Sequence, residues 1–200
     1  MTDIDAVLFD MGGVLVELGP LDELLGSTMS GDEFWPRWLA SPSVRGLESG
    51  TRSVDDFGRG LVEELELTIS PEDVIERFAR FPRGLYPGAE ELVASVPDGI
   101  VTGVLSNTNP LHWDNQADGE AIRGLCQRAF LSYELGLVKP DVAIYDRVAS
   151  DLGLAADRIL FIDDNQINVD GARAAGWRAA VAKGPAAAAA VLAQFGLVPA

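Results

Sequence analysis

The chain has 200 residues, 48% of them apolar, with 31 acidic side chains against 15 basic ones and a net charge of −16. Nucleic acids and anionic membrane surfaces reward basic patches, so neither is an expected partner of so acidic a protein. The single cysteine, Cys126, excludes an internal disulfide, fits a reducing compartment, and reads as a small buried hydrophobe.

The first residues, Met1-Thr2-Asp3-Ile4-Asp5, carry two acids and no basic cluster, unlike a signal peptide. No run approaches the roughly 18 apolar residues of a membrane span. The expectation is a soluble, cytoplasmic protein. Ala6 to Phe9 is a short apolar run and reads as a strand buried on both faces, ending in Asp10 and the glycines Gly12 and Gly13. Ligands of open α/β sheets sit beyond the carboxyl ends of the strands, which is where Asp10 stands. From Glu17 to Tyr86 the periodicity is helical, and no strand is expected. Within it, Ser53 caps a helix with Val54, Phe57, Leu61, Val62 and Leu65 on one face, and Ser70-Pro71-Glu72-Asp73 starts another. Phe34, Trp35, Trp38 and Leu39 are expected to form the small core of this insert, the alternative being the lining of a substrate pocket.

The α/β pattern resumes at Pro87. Strands are expected over Ile100–Leu105, Ala129–Leu131, Ile159–Ile162 and Trp177–Ala182, separated by helices that include 141–152, stopped by Gly153, and a closing helix from Pro185. Strands alternating with helices imply a doubly wound parallel sheet. The expected fold class is therefore α/β, a Rossmann-like core of residues 1–16 and 87–200 interrupted by a helical domain of residues 17–86.

Polar groups stand at four strand ends: Asp10; Ser106 with Asn107; Lys139, beyond the third of them; and Asp163 with Asp164. Along one edge of a parallel sheet these can converge. Three carboxylates packed together repel unless a cation sits among them, and hard oxygen ligands favour Mg²⁺. A lysine and a hydroxyl beside them suit the oxygens of a phosphoryl group, and a carboxylate attacking phosphorus gives an aspartyl-phosphate. Each piece is common by itself; four in order at four strand ends are specific.

These strings resemble the four motifs of the haloacid dehalogenase (HAD) superfamily, over the whole chain: Phe9-Asp10-Met11-Gly12-Gly13-Val14, Ser106-Asn107, Lys139-Pro140 and Asp163-Asp164. The insert lies where that family carries its first-type helical cap domain. The longer strings Leu105–Asn109, Leu135–Pro140 and Phe161–Asn165 are similar to a narrower group that includes α-glucose-1-phosphate phosphatase and the N-terminal phosphatase domain of epoxide hydrolases. The resemblance implies Asp10 as nucleophile and metal ligand, the Gly12 carbonyl as a second ligand, Asp164 on the metal directly, and Asp163 on it directly or through water. Ser106 and the Asn107 amide would hold phosphate oxygens, Lys139 would neutralise the transferring group, and Asn168 would orient Lys139 or the metal's surroundings.

One position departs from the pattern. The family's usual phosphatase has a second Asp two residues after the nucleophile, as acid and base for the leaving oxygen and for water; here that residue is Gly12. General acid–base catalysis is worth about 10²- to 10⁴-fold, so a slower enzyme, or one suited to good leaving groups, is expected. The sole histidine, His112, either substitutes as the acid or, as the favoured reading, contacts substrate or packs beside Trp113. The expected activity is Mg²⁺-dependent hydrolysis of a small phosphoester, most simply a sugar phosphate. The rivals are a weakly catalytic HAD domain serving as a binding module, for which Gly12 speaks, and a 2-haloacid dehalogenase, against which Asp163-Asp164 speaks. The glycine patterns of nucleotide-binding loops and dinucleotide folds are absent from the sequence.

Overall fold

The computed structural model describes residues 3–25, 30–114 and 117–199. The chain runs from β1 (Ala6–Phe9) through β2 (Val16–Leu18) into five helices. These are α1 (Leu21–Leu25), α2 (Gly31–Ala40), α3 (Pro42–Glu48), α4 (Val54–Leu65) and α5 (Pro71–Ala79). It returns by β3 (Pro82–Leu85) to α6 (Ala89–Ala94), β4 (Val101–Ser106), α7 (Pro110–Trp113) and α8 (Ala117–Leu125). Then follow β5 (Arg128–Leu131), α9 (Ser132–Leu135), α10 (Val142–Leu152), β6 (Ile159–Asp163), α11 (Gln166–Ala174), β7 (Arg178–Val181) and α12 (Gly184–Gln194).

The five core strands form one parallel sheet in the order β5-β4-β1-β6-β7. β1 is central: Phe9 lies beside Val104 on one neighbour and Ile162 on the other, so the ends of β1, β4 and β6 finish level. Side chains of β1 alternate across the sheet, Val7 and Phe9 packing with Leu92, Val191 and Leu192, and Ala6 and Leu8 with Ile144, Tyr145 and Phe161. Helices thus cover both faces, which is why β1 and β6 are apolar on both.

The helices between β2 and β3 have a core of their own. Phe34, Trp38, Phe57, Leu61, Val74 and Phe78 are buried together, and the Phe57 and Phe78 rings lie 4.9 Å apart. Ser30, Ser53 and Ser70 cap α2, α4 and α5 with their side chains, as the Ser53 and Ser70 patterns predict. The expectation of no strand over 17–86 is corrected: β2 and β3 pair antiparallel, Val16 beside Leu85, and form the ribbon by which the chain leaves and re-enters the core. Both are short, and β3 contains Pro82 and Gly84, residues that weaken strand propensity, so its order comes from the pairing. No helix among the described residues is long and apolar enough to cross a membrane. Cys126 is half-buried against the sheet, and burial pushes its thiol up to about 11.

Candidate active site

The site is built where the level ends of β1, β4 and β6 meet the helical insert. After Phe9, the Asp10 amide still donates to the Ile162 carbonyl at 2.8 Å, as if β1 continued, and the Met11 amide then donates to Asp10 Oδ1 at 2.7 Å. The turn that follows needs glycine at residue 13: its φ is +77°, and a Cβ there would fall on the Asp164 carboxylate. The loop therefore carries Asp10 close to the acids at the end of β6.

Lys139 joins these groups. Its ammonium is 1% exposed and spends its three protons on Asp10 Oδ1 at 2.9 Å, Asp163 Oδ2 at 2.7 Å and the Leu105 carbonyl at 3.1 Å. Burial pulls its pKa down, and the Asp10 and Asp163 carboxylates outweigh that and hold it above the ordinary lysine value. Asn107 fixes the lysine backbone, and Ser106 is buried beside it at the end of β4.

Asp163 is wholly buried, and both its oxygens are occupied. Oδ1 accepts from the Asn165 amide at 2.8 Å and from Asn168 Nδ2, while Oδ2 accepts from Lys139 and from Asn168 Nδ2 at 3.0 Å. Asn168 thus acts on Asp163 and reaches Lys139 only through it. Asp164 is more open. Carboxylate oxygens of Asp10, Asp163 and Asp164 lie within 4.8 Å of one another, a spacing that suits a metal ion. One ammonium does not balance three acids. Burial, with Asp163 and Asp164 adding to it and Lys139 opposing, raises Asp10 to about 8. Burial and Asp163 raise Asp164 to about 6, against the pull of Lys139 and Lys183. This surplus of negative charge on hard oxygen donors is the chemistry that a divalent cation relieves.

Above these residues is a cleft of about 370 Å³ that Asp10, Gly12, Ser106, Asn107, His112, Lys139, Asp164 and Asn168 line from the core side. Asp163 lies behind Lys139 and does not line it. The opposite wall comes from the insert and is largely aromatic: Phe34, Trp35, Trp38, Phe78 and Phe81. Phe34 and Trp38 thus belong to the insert's core, as expected, and the same cluster borders the cleft.

His112 is 8% exposed, its ring 4.2 Å from that of Phe78, and its Nε2 donates to the Phe78 carbonyl at 2.7 Å. A carbonyl only accepts, so Nε2 holds the proton. Burial lowers the imidazole to about 4, with the Phe78 carbonyl opposing. His112 is then a neutral ring that ties α7 to α5, and its Nε2 proton is not free for a leaving group.

Two residues at the site carry no recognisable signal in the sequence. Ser132, wholly buried, accepts from the Thr108 amide and donates to the Thr108 carbonyl, holding the loop after β4. Glu48, at the end of α3, is 6% exposed and lines the cleft from the insert side. Burial raises it to about 7, against the opposing influence of Lys139 and of hydrogen bonds from Trp38 and Asn107.

With this geometry in view, a family model for haloacid dehalogenase-like hydrolases matches residues 4–176. The chain belongs to that family. It is 29% identical over 194 residues to a phosphatase of Mycobacterium tuberculosis, the match covering 88% of this chain and 86% of the relative. It is 24% identical over 176 residues to a D-ribitol-5-phosphate phosphatase of Bacteroides thetaiotaomicron, covering 83% and 85%. Among solved structures, a HAD family enzyme of B. thetaiotaomicron in complex with magnesium and inorganic phosphate has a TM-score of 0.67 at 23% identity, over 90% of this chain and 94% of that one. The L-2-haloacid dehalogenase of Xanthobacter autotrophicus has a TM-score of 0.65 at 20% identity, over 89% and 77%. These structures share the fold with this HAD-like hydrolase; which reaction it performs is decided by its own site.

Proposed function

We propose that this HAD-like hydrolase is a Mg²⁺-dependent phosphatase of a small phosphorylated metabolite, most simply a sugar or polyol phosphate. The observation that carries this reading is the pairing of Asp10 Oδ1 with Lys139 Nζ at the floor of the cleft, beside Asp164. Both curated relatives are named as phosphatases, one of them for D-ribitol 5-phosphate. The narrower likeness to α-glucose-1-phosphate phosphatase supports a sugar phosphate. The acid pair Asp163-Asp164 speaks against a metal-free dehalogenase.

In this reading Asp10 attacks phosphorus, the bond from phosphorus to the leaving oxygen breaks, and an aspartyl-phosphate forms; water then hydrolyses it to inorganic phosphate and restores the carboxylate. Lys139 offsets charge on Asp10 and on the transferring group. Ser106 and the Asn107 amide hold the remaining phosphoryl oxygens. Asp10, Asp164 and the Gly12 carbonyl would hold Mg²⁺, which when bound supplies positive charge to the phosphoryl oxygens. Asp163 keeps Lys139 and Asn168 in place. The helices of residues 17–86 act as a cap that closes over the organic half of the substrate. Neither Gly12 nor the neutral His112 delivers a proton to the leaving oxygen, so good leaving groups are favoured.

The test is phosphate release from α-glucose 1-phosphate, ribitol 5-phosphate, other sugar phosphates and an aryl phosphate, with and without Mg²⁺. Release that requires Mg²⁺ supports the reading. No release from any of them, by folded protein that binds Mg²⁺, favours the binding-module alternative that Gly12 suggests.

A further inference from the structure

Glu48 is costly where it stands. It is a carboxylate removed from water, and it ends α3, where the helix dipole disfavours negative charge. The fold nevertheless fixes it there. At the start of α3, Ser43 donates from its amide and its hydroxyl to Glu64 at 3.1 and 2.6 Å. At the other end, Arg45 pairs with Asp141 of the core. Gly50, at φ +71°, lies so close to the Tyr133 carbonyl that a Cβ would stand 2.8 Å from that oxygen. Between these attachments Glu48 lines the cleft together with Trp38 of the insert and Asn107 of the core. No arginine or lysine pairs with it among the described residues, and an ionised carboxylate offers about four acceptor positions to a ligand in the cleft.

The wall around it is mostly apolar. Phe34, Trp35, Phe78 and Phe81 line the cleft, an apolar surface that suits the C–H groups of a carbohydrate or polyol. Among the described residues of the insert, the other carboxylate in the lining is Asp32, in the first turn of α2. We propose that Glu48 is the residue with which the insert recognises the organic half of the substrate, accepting hydrogen bonds from hydroxyl groups of a polyhydroxylated leaving group. This rests on the phosphatase reading and adds to it a specificity-determining side chain outside the four motifs.

The test compares wild type with Glu48→Gln, which keeps the shape and removes the charge, on the sugar or polyol phosphate that wild type hydrolyses best and on p-nitrophenyl phosphate, which has no hydroxyl. The ratio of kcat/KM for the hydroxylated over the aryl substrate is expected to fall by about 10- to 100-fold, chiefly through KM, as befits the loss of a hydrogen bond to a charged group. Circular dichroism and thermal unfolding establish that the variant is folded; if it is not, Glu48→Asp, which keeps the charge but withdraws it, is read by the same ratio. A ratio unchanged from wild type, whatever happens to the separate rates, overturns the inference and leaves Glu48 a tie between insert and core. A wild-type protein that hydrolyses none of the phosphoesters refutes the phosphatase reading before any variant is made, and the inference falls with it.

Discussion

Asn107 grips the backbone of Lys139 from both sides, its Nδ2 donating to the Lys139 carbonyl at 3.0 Å and its Oδ1 accepting from the Lys139 amide at 2.8 Å. The residue at the end of β4 therefore sets where the ammonium beyond β5 can reach. Asn107→Ala removes both bonds. A misplacement of about 1 Å in a catalytic group can cost on the order of 10²-fold, so kcat should fall by about 10- to 100-fold. Two lost hydrogen bonds should lower stability by about 1–3 kcal/mol. Steady-state turnover and urea unfolding measure the two effects; unchanged turnover would show that Lys139 holds its position without this grip.

The acids of the cleft make stability depend on pH with a definite sign. Asp164 at about 6, Glu48 at about 7 and Asp10 at about 8 are all raised above their ordinary values of 3.8 to 4.5. The folded protein thus keeps protons that the unfolded chain has released, and the stability these groups contribute is lost as pH rises through those values. His112, lowered to about 4 from 6.5, acts in the opposite sense, but only below about pH 6.5. The thermal midpoint of metal-free protein should therefore drop between about pH 6 and 8. Mg²⁺, which binds the ionised acids of the folded state, should restore it most at the upper end. A midpoint that climbs across this range, or one that Mg²⁺ leaves unmoved at pH 8, would contradict this distribution of charge.

Gly12 offers a gain-of-function experiment. A Cβ at residue 12 would lie 3.2 Å from Leu18 Cδ1, the end of a flexible side chain that a shift of a few tenths of an ångström accommodates. Gly12→Asp should then place an acid next to Asp10 and raise turnover of poor leaving groups such as alkyl phosphates by about 10-fold or more, with a smaller gain on aryl phosphates. An equal effect on both classes, measured as kcat against leaving-group pKa, would show that proton delivery is not what residue 12 lacks.

What the sequence reveals and what it conceals follow from how local each feature is. β1 and β6 are buried on both faces, so their apolar runs and the acids that end them stand out without any knowledge of neighbours. The helix starts at Ser53 and Ser70 are equally local, each made within a single turn. β2 and β3 are not: Val16–Leu18 is too short to show a period, and Pro82 and Gly84 argue against a strand that exists only because its partner is present. Asp10, Asp163 and Asp164 are legible because they sit at strand ends, and Lys139 because it follows the third core strand at its place in that fixed order. Glu48 is not, because from sequence it is one more acid on a polar stretch, and its burial at the cleft comes from tertiary packing. His112 is visible as a lone histidine, but its link to Phe78 depends on how the insert lies on the core.

Every role proposed for the cleft depends on Asp10 being the nucleophile. Acid quenching of the enzyme during turnover, followed by mass spectrometry of the peptide that carries Asp10, tests it directly alongside Asp10→Asn. The expected result is a phosphoryl group on Asp10 in the Mg²⁺-supplied wild type, and no adduct and no phosphate release from a folded Asp10→Asn variant. A variant that still releases phosphate at a substantial rate, from an enzyme that never carries the phosphoryl group on Asp10, would remove Asp10 from the nucleophile's role.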